Sequence, residues 1–265
     1  MIDHFAYGWT TPVIAYVVSF LGSLIGLQVA RRARHSSGAT RTGWLLLAAF
    51  TLGAAAIWAM HFIGMMGFSV QSTTIRYDVL LTVLSGLLAI AVVGIGLYWT
   101  TLSPGWASVL GGGAIMGVGV VSMHYMGMAS MRMQAEMHHD HRYMVAAVVI
   151  ALVASTVALV FAVRLRGLAA TLGASAVMAA AVSAMHYTAM FGMHVRALPE
   201  TPFDEPATGA TMMDFFMPMF VGLGLLLMIL SLILMLSPVE DDQRGGRAAD
   251  SPAPKPQDSV FTRRH

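Results

Sequence analysis

Three short segments carry residue types that bind soft metals: Met60-His61-Phe62-Ile63-Gly64-Met65, Met123-His124-Tyr125-Met126-Gly127-Met128 and Met185-His186-Tyr187-Thr188-Ala189-Met190. In each a methionine stands four positions after the histidine, and residues four apart share one face of a helix. His61 with Met65, His124 with Met128, and His186 with Met190 therefore present an imidazole and a thioether side by side, and the same face extends another turn to Met131 and Met193 in two copies. Such a donor set suits copper, Cu(I) above all, whereas Mg, Ca and Mn require oxygen ligands. Neutral ligands add no charge of their own, which limits the cost of burying the ion. Three His and three Met suffice for one ion or for two. A structural role competes with this: one intramembrane His can simply hydrogen-bond a neighbouring helix, and 22 methionines make chance His–Met spacings common. Repetition favours the ligand reading.

These side chains need helices to hold them, and the composition says where those helices lie. With 57% hydrophobic and 11% charged residues, the chain has too few polar groups to cover a water-soluble surface. Charge-free stretches of about 20 residues each fit one bilayer crossing. They run from Phe5 to Ala30, Gly43 to Phe68, Tyr143 to Val163, Gly167 to Met193 and Phe215 to Val239. The longer stretch from Val79 to Met131 is broken at Ser103-Pro104-Gly105 and holds two more. The fold class is thus an all-α membrane protein of seven helices. Residues 1–239 form one membrane domain, and 240–265, rich in Pro, Gly, Ala, Asp and Arg, form a disordered tail too short for a catalytic output domain, so no enzymatic activity is expected. The first stretch lacks a basic leader and a small-residue cleavage site and is read as a retained span. Absence of cysteine excludes disulfides, thiolate zinc sites and iron–sulfur clusters, and no nucleic-acid motif is present.

The histidines are 63 and 62 residues apart, the length of two spans with their loops. Spans one and two, three and four, and five and six are then three parallel copies of one hairpin, with the seventh added. All three imidazoles should lie at one depth near the outer ends of the even helices. With three motifs at this spacing, the chain resembles the MHYT domain, a bacterial membrane sensor module named for its Met-His-Tyr-Thr motif. The resemblance covers nearly everything outside the tail. It implies seven spans, a sensing role directed at oxygen, carbon monoxide or nitric oxide, and copper held by Met60, His61 and Met65, by Met123, His124 and Met128, and by Met185, His186 and Met190. Phe62 stands where the motif has Tyr, Ile63 and Met126 where it has Thr, and Ala189 where Gly is usual, so every motif His and Met is kept while the hydroxyls are not.

Tyr125 and Tyr187 read as interfacial aromatic residues, and Glu136-Met137-His138-His139-Asp140-His141 as a solvated polar loop that at most captures metal near the mouth of the site. Gly22 with Gly26, and Gly113 with Gly117, read as close helix packing. Two other functions stay open: a copper-handling or transport protein, and a b-type haem protein using two of the histidines. Sites on only one half of the membrane disfavour a conduit. The surroundings implied are a lipid bilayer, a separate signalling partner protein and no nucleic acid.

Lys and Arg set the orientation. Placing the Arg31–Arg41 loop in the cytoplasm puts eleven basic residues inside, among them Arg164, Arg166 and those of the tail, and leaves Arg76, Arg132, Arg142 and Arg196 outside. Reporter fusions in a bacterial inner membrane are expected to place the N-terminus outside and the C-terminus in the cytoplasm; an external tail would overturn this topology.

Overall fold

The computed structural model describes residues 2–3, 5–70, 74–133, 135–197 and 208–236. Seven helices are long and apolar enough to cross a membrane: α1 (Thr10–Arg34), α2 (Gly38–Met66), α3 (Val79–Leu102), α4 (Trp106–Ala129), α5 (His141–Arg164), α6 (Leu168–Phe191) and α7 (Met212–Leu236). A bilayer offers no water to unpaired backbone groups, so each span satisfies its own N–H and C=O as helix. The helices outrun the charge-free stretches. α2 starts at Gly38 and so includes Arg41, while α1 starts only at Thr10 but continues to Arg34. Arginine at a helix end keeps its head at the interface while its stem runs along the apolar surface. The expected tail, 240–265, and the last three residues of the expected seventh span lie outside the described residues.

The hairpin repeat extends beyond the helices. Each pair is flanked by short strands that join its two ends. Ile2–Asp3 (β1) pairs antiparallel with Ser69–Val70 (β2), Arg76–Tyr77 (β3) with Met131–Arg132 (β4), and Ala135–His139 (β5) with Met193–Ala197 (β6). One further backbone hydrogen bond recurs in all three units: Ala6, Asp78 and Asp140 donate their N–H to the carbonyls of Gly67, Ser130 and Gly192, each at 2.8 Å. The three acceptors stand immediately after α2, α4 and α6, at helix ends where carbonyls lack intrahelical partners. Asp78 and Asp140 also cap α3 and α5, accepting from Leu81 N and Arg142 N. The Asp78 carboxyl is held below the ordinary range mainly by its hydrogen bond from Arg132 and then by the Leu81 amide.

Each of the first six helices packs on its neighbours in sequence, and α1 closes the ring on α6, while α7 docks outside against α1 and α2. Glycine permits the closest approaches. A Cβ on Gly22 would fall 2.7 Å from the backbone nitrogen of Ala56, and one on Gly26 would strike Leu52; Gly113 and Gly117 meet Thr156 and Leu152 in the same way. Both small-residue pairs are thus packing devices.

α2 departs from its two counterparts. Thr51–Ala59 is a π-helix of nine residues, entirely buried, and Met60–Met66 resumes the α-helix. The wider turns are held from both sides. Ser19 of α1 donates to the Ala56 carbonyl at 2.7 Å, and the Trp58 indole donates to Ser85 of α3 at 3.0 Å. Long π segments are rare and concentrate at functional sites; this one ends two residues before His61.

Gly22→Ala is expected to destabilise the protein by about 1–3 kcal/mol through overpacking against a backbone that cannot retreat. Gly43→Ala, where an added Cβ meets nothing within 4 Å, should be neutral or slightly stabilising. Melting temperatures in one detergent compare them, and equal shifts would contradict the packing account.

Candidate metal centre

Each motif histidine sits five residues before the end of its helix: His61 before Met66, His124 before Ala129 and His186 before Phe191. At about 1.5 Å per residue that is a depth of about 7.5 Å below the helix ends. Because the same strand pair and the same backbone bond close every hairpin, the shared depth becomes a shared layer. All three side chains are buried, at 1%, 1% and 0% exposure. The Nδ1 atom of His61 lies 3.1 Å from Nδ1 of His186 and 3.1 Å from Nδ1 of His124. One nitrogen from each ring can be chosen so that all three fall within 4.8 Å of one another.

Glycines make room for the rings. Gly127 of α4 backs His61, where an added Cβ would lie 2.4 Å from its Nε2, and Gly64 of α2 backs His186 at 2.5 Å in the same sense. Each is the residue three positions after a motif histidine, so one repeat seats the imidazole of another. Ala189 holds the corresponding position in the third copy. An aromatic ring packs edge-on against each imidazole from the adjacent position: Phe62 on His61 at 4.8 Å, Tyr125 on His124 at 5.1 Å and Tyr187 on His186 at 4.8 Å between centroids. Tyr125 and Tyr187 are therefore walls of the histidine layer, not merely interfacial anchors.

The nitrogen cluster is poorly served by protons alone. Nδ1 of His61 faces two other Nδ1 atoms, and a single proton can bridge only one such contact. A cation at the centre would accept all three lone pairs together. Three imidazole nitrogens at about 2.0–2.1 Å from an ion in a plane stand about 3.5 Å apart, close to the 3.1 Å found for two of the pairs. Nε2 of His61 is buried without a hydrogen-bond partner among the described residues, so no second hydrogen bond fixes that ring. Its packing against Gly127 and Phe62 does.

All six motif methionines are buried, but they do not share one environment. Met60 packs with Ala15 and Ile63, against Phe220 of α7. Met185 lines a cavity below the histidines, and Met65, Met123, Met128 and Met190 belong to the main core. The expected further turn of the His–Met face does not form, because α4 ends at Ala129 and α6 at Phe191; Met131 and Met193 lie on β4 and β6. Below the layer, the ring encloses an apolar cavity of about 40 Å³. Residues four before each histidine, Ile57, Val120 and Val182, line it together with Met116 and Met178.

The segment expected as a solvated loop is largely strand β5, in register with β6 so that His138 faces His194. His139 turns inward and packs edge-on against Tyr125 at 5.1 Å, and Tyr125 in turn contacts His124. Burial lowers the His139 pKa, and the neighbouring His138 lowers it further. No motif in the sequence signals this link. The alternation that puts His138 out and His139 in becomes visible once the strand is known.

A ring of three parallel hairpins around a buried histidine layer is a repeat-built membrane domain, and comparison identifies its family. The sequence profile described as the bacterial signalling protein N-terminal repeat, MHYT, matches residues 55–113 and 117–175, and the two matches take in His61 and His124. The chain belongs to the MHYT domain family. It is 34% identical over 191 residues to the bifunctional diguanylate cyclase/cyclic di-GMP phosphodiesterase MucR of Pseudomonas aeruginosa, covering 70% of the chain and 28% of that protein. It is 31% identical over 215 residues to the cyclic di-GMP phosphodiesterase NbdA of the same organism, covering 78% and 27%, and 26% identical over 197 residues to the signaling protein YkoW of Bacillus subtilis, covering 71% and 24%. The chain thus spans about a quarter of the length of these relatives. No solved structure gives a significant match.

Gly127→Ala is expected to displace the His61 ring and weaken metal binding by about tenfold to hundredfold, the usual effect of disturbing a ligand's support, while the protein still folds. Metal content of the purified variant against wild type checks this, and unchanged content would show that the ring has room to spare.

Proposed function

We propose that the chain is a signalling module of the bacterial cytoplasmic membrane that binds one copper ion, Cu(I) by preference, between α2, α4 and α6. The observation that carries this reading is the convergence of three buried imidazoles with Nδ1 contacts of 3.1 Å. Neutral nitrogen donors in a core rich in thioether sulfur favour a soft, low-charge ion. Among the methionines, Met65, Met128 and Met190 are the better candidates for supporting ligands, since each shares a helix face with its histidine. Met60, Met123 and Met185 rest on the family resemblance alone. His61, His124 and His186 would hold the ion, and copper bound there would supply affinity for oxygen, carbon monoxide or nitric oxide. The apolar cavity of about 40 Å³ one turn below exceeds the space one water needs, so there is room for a diatomic molecule beside the histidine layer. The names of the relatives as cyclic di-GMP enzymes and signalling proteins support an output through a partner domain or protein, with the seven-helix unit itself non-catalytic. In this reading the histidine layer faces outward and the C-terminus lies in the cytoplasm.

A b-type haem is disfavoured by space, because a porphyrin needs a cavity far larger than 40 Å³ and the imidazole nitrogens face one another instead of flanking a slot. A transport reading draws on Met116 and Met178, which continue sulfur below the layer. Against it, the opposite end of the ring presents Arg31, Arg34, Arg164 and Arg166, which repel a cation.

His61→Ala, His124→Ala and His186→Ala are expected to weaken Cu(I) binding to a similar extent, by at least tenfold each, with Met65, Met128 and Met190 contributing less. Titration against a competing chelator measures this. An absorption spectrum of the same preparations should lack a Soret band. If two of the histidines can be lost without effect, the layer is a packing device and the shared site is wrong.

A further inference from the structure

The ribbon of β5 and β6 differs from the other two ribbons at its end of the bundle. It pairs five positions where β1–β2 and β3–β4 pair two, and of the three it is the one whose strands carry histidine. Its inner face is fixed to the helices: Met193 is buried, Met137 and Val195 pack against the core, and His139 meets Tyr125. The Asp140 N–H, donating to the Gly192 carbonyl, closes the end of the ribbon next to α5 and α6. Side chains alternate along a strand. The outer face therefore presents Glu136 and His138 from β5 and His194 and Arg196 from β6, all four exposed.

On that face His138 stands directly opposite His194. Opposed residues of an antiparallel pair have Cβ atoms about 4.5–5.5 Å apart, which lets two imidazoles turn onto one ion. Glu136 precedes His138 by two positions on the same face, and its Oε2 lies 3.7 Å from the His138 Nε2. Donors about 2.0–2.2 Å from one ion stand about 3.3–3.6 Å apart at a tetrahedral angle, so this pair is already spaced almost as two ligands of one centre. Two imidazoles and a carboxylate suit a borderline divalent ion such as Zn(II), whereas soft Cu(I) gains little from the oxygen donor. Five paired positions hold the three donors on one face before any ion arrives, which lowers the ordering cost of binding. Arg196, opposite Glu136, works against the site, because a guanidinium competes for the carboxylate and repels the ion. Asp140 is engaged elsewhere, accepting from the Arg142 amide.

We propose that Glu136, His138 and His194 form an exposed site for a divalent transition-metal ion of the Zn(II) class, separate from the buried histidine layer, and that the bound ion clamps β5 to β6. The site does not depend on copper in that layer. The test uses the full chain without a polyhistidine tag, in neutral detergent and stripped of metal by a chelator. Zn(II) alone is titrated in by calorimetry, and the melting temperature is followed with and without it. Wild type should bind zinc and melt at a higher temperature in its presence. H138A and H194A should each weaken binding at this site about tenfold or more, the usual scale for loss of even a ligand's support, and should lose the thermal shift that the clamp produces. E136Q should weaken it less, and H141A, outside the ribbon face, should bind as wild type. R196Q should tighten binding severalfold, a gain that zinc scattered over unrelated histidines would not show. H61A, altered only in the buried layer, should keep the site. Zinc binding that survives H194A and disappears in H61A belongs to the buried layer and would overturn the proposal. Equal affinity in wild type, H194A and R196Q would overturn it too, and where H61A does not fold these two exposed variants decide alone.

Discussion

Every hairpin in this protein is closed by one backbone hydrogen bond from the residue leading into an odd helix to the residue just past the paired even helix. The flanking strand pair repeats that closure in two more residues or five. Together they set how far each even helix rises relative to its partner, and because all three hairpins use the same device, all three even helices end at one level. The histidines occupy the same offset from those ends. Depth is therefore inherited from backbone pairing and needs no contribution from the imidazoles. A site assembled this way is pre-organised by groups that lie outside it.

Depth alone does not bring the rings together. Helix axes in contact usually stand about 8–10 Å apart, and imidazoles reach one another only where the intervening wall is thin. Gly64 and Gly127 thin it. The edge-on aromatic rings then limit each imidazole to one orientation, so the motif position that carries a hydroxyl in two copies acts through its ring. This accounts for Phe62 serving where the other copies have Tyr125 and Tyr187: the edge contact requires an aromatic face and makes no use of the hydroxyl. The π segment of α2 adds an asymmetry. It precedes only His61, and His61 is the ring whose Nδ1 touches both others. Wider helical turns alter the azimuth of the residues beyond them, which gives the central ring a setting that an unbroken α-helix with the same depth would not.

Much of this was legible from residue types. The number of spans, the hairpin period and the common depth of His61, His124 and His186 come from charge-free stretches and fixed offsets, since the bilayer demands length and apolarity of every crossing. The features that the sequence concealed have physical causes. Arg31 and Arg34 ended the first expected span too early, and Arg41 started the second too late, because their stems run along the helix. The strands at the histidine end are two to five residues long, too short for an alternating pattern to stand out. Met131 and Met193 fit a helical period by spacing, yet the chain has already turned into strands at both places. The π-helix carries no Pro and no polar run; the contacts that hold it come from Ser19 and Ser85 on other spans, which local sequence does not encode. Nor does spacing say which methionines face inward, and Met60 lies in a different cluster from its counterparts.

The two ends of the bundle are chemically opposed. At one, three neutral imidazoles and surrounding thioethers favour a soft cation in an apolar shell. At the other, the guanidinium groups of Arg31, Arg34, Arg164 and Arg166 gather. A cation leaving the histidine layer toward the arginines would cross the apolar cavity and then meet repulsion, with each step less favourable than the one before. A pore would need the reverse, a sequence of sites weak enough to release and similar enough to exchange. The same polarity suits a receptor. On the proposed reading, occupancy at the histidine end would bias the contacts among α2, α4 and α6, each of which its hairpin joins to α1, α3 or α5. An ion held there would be a fixed point, and the ring of helices around it is the element whose packing a ligand could bias.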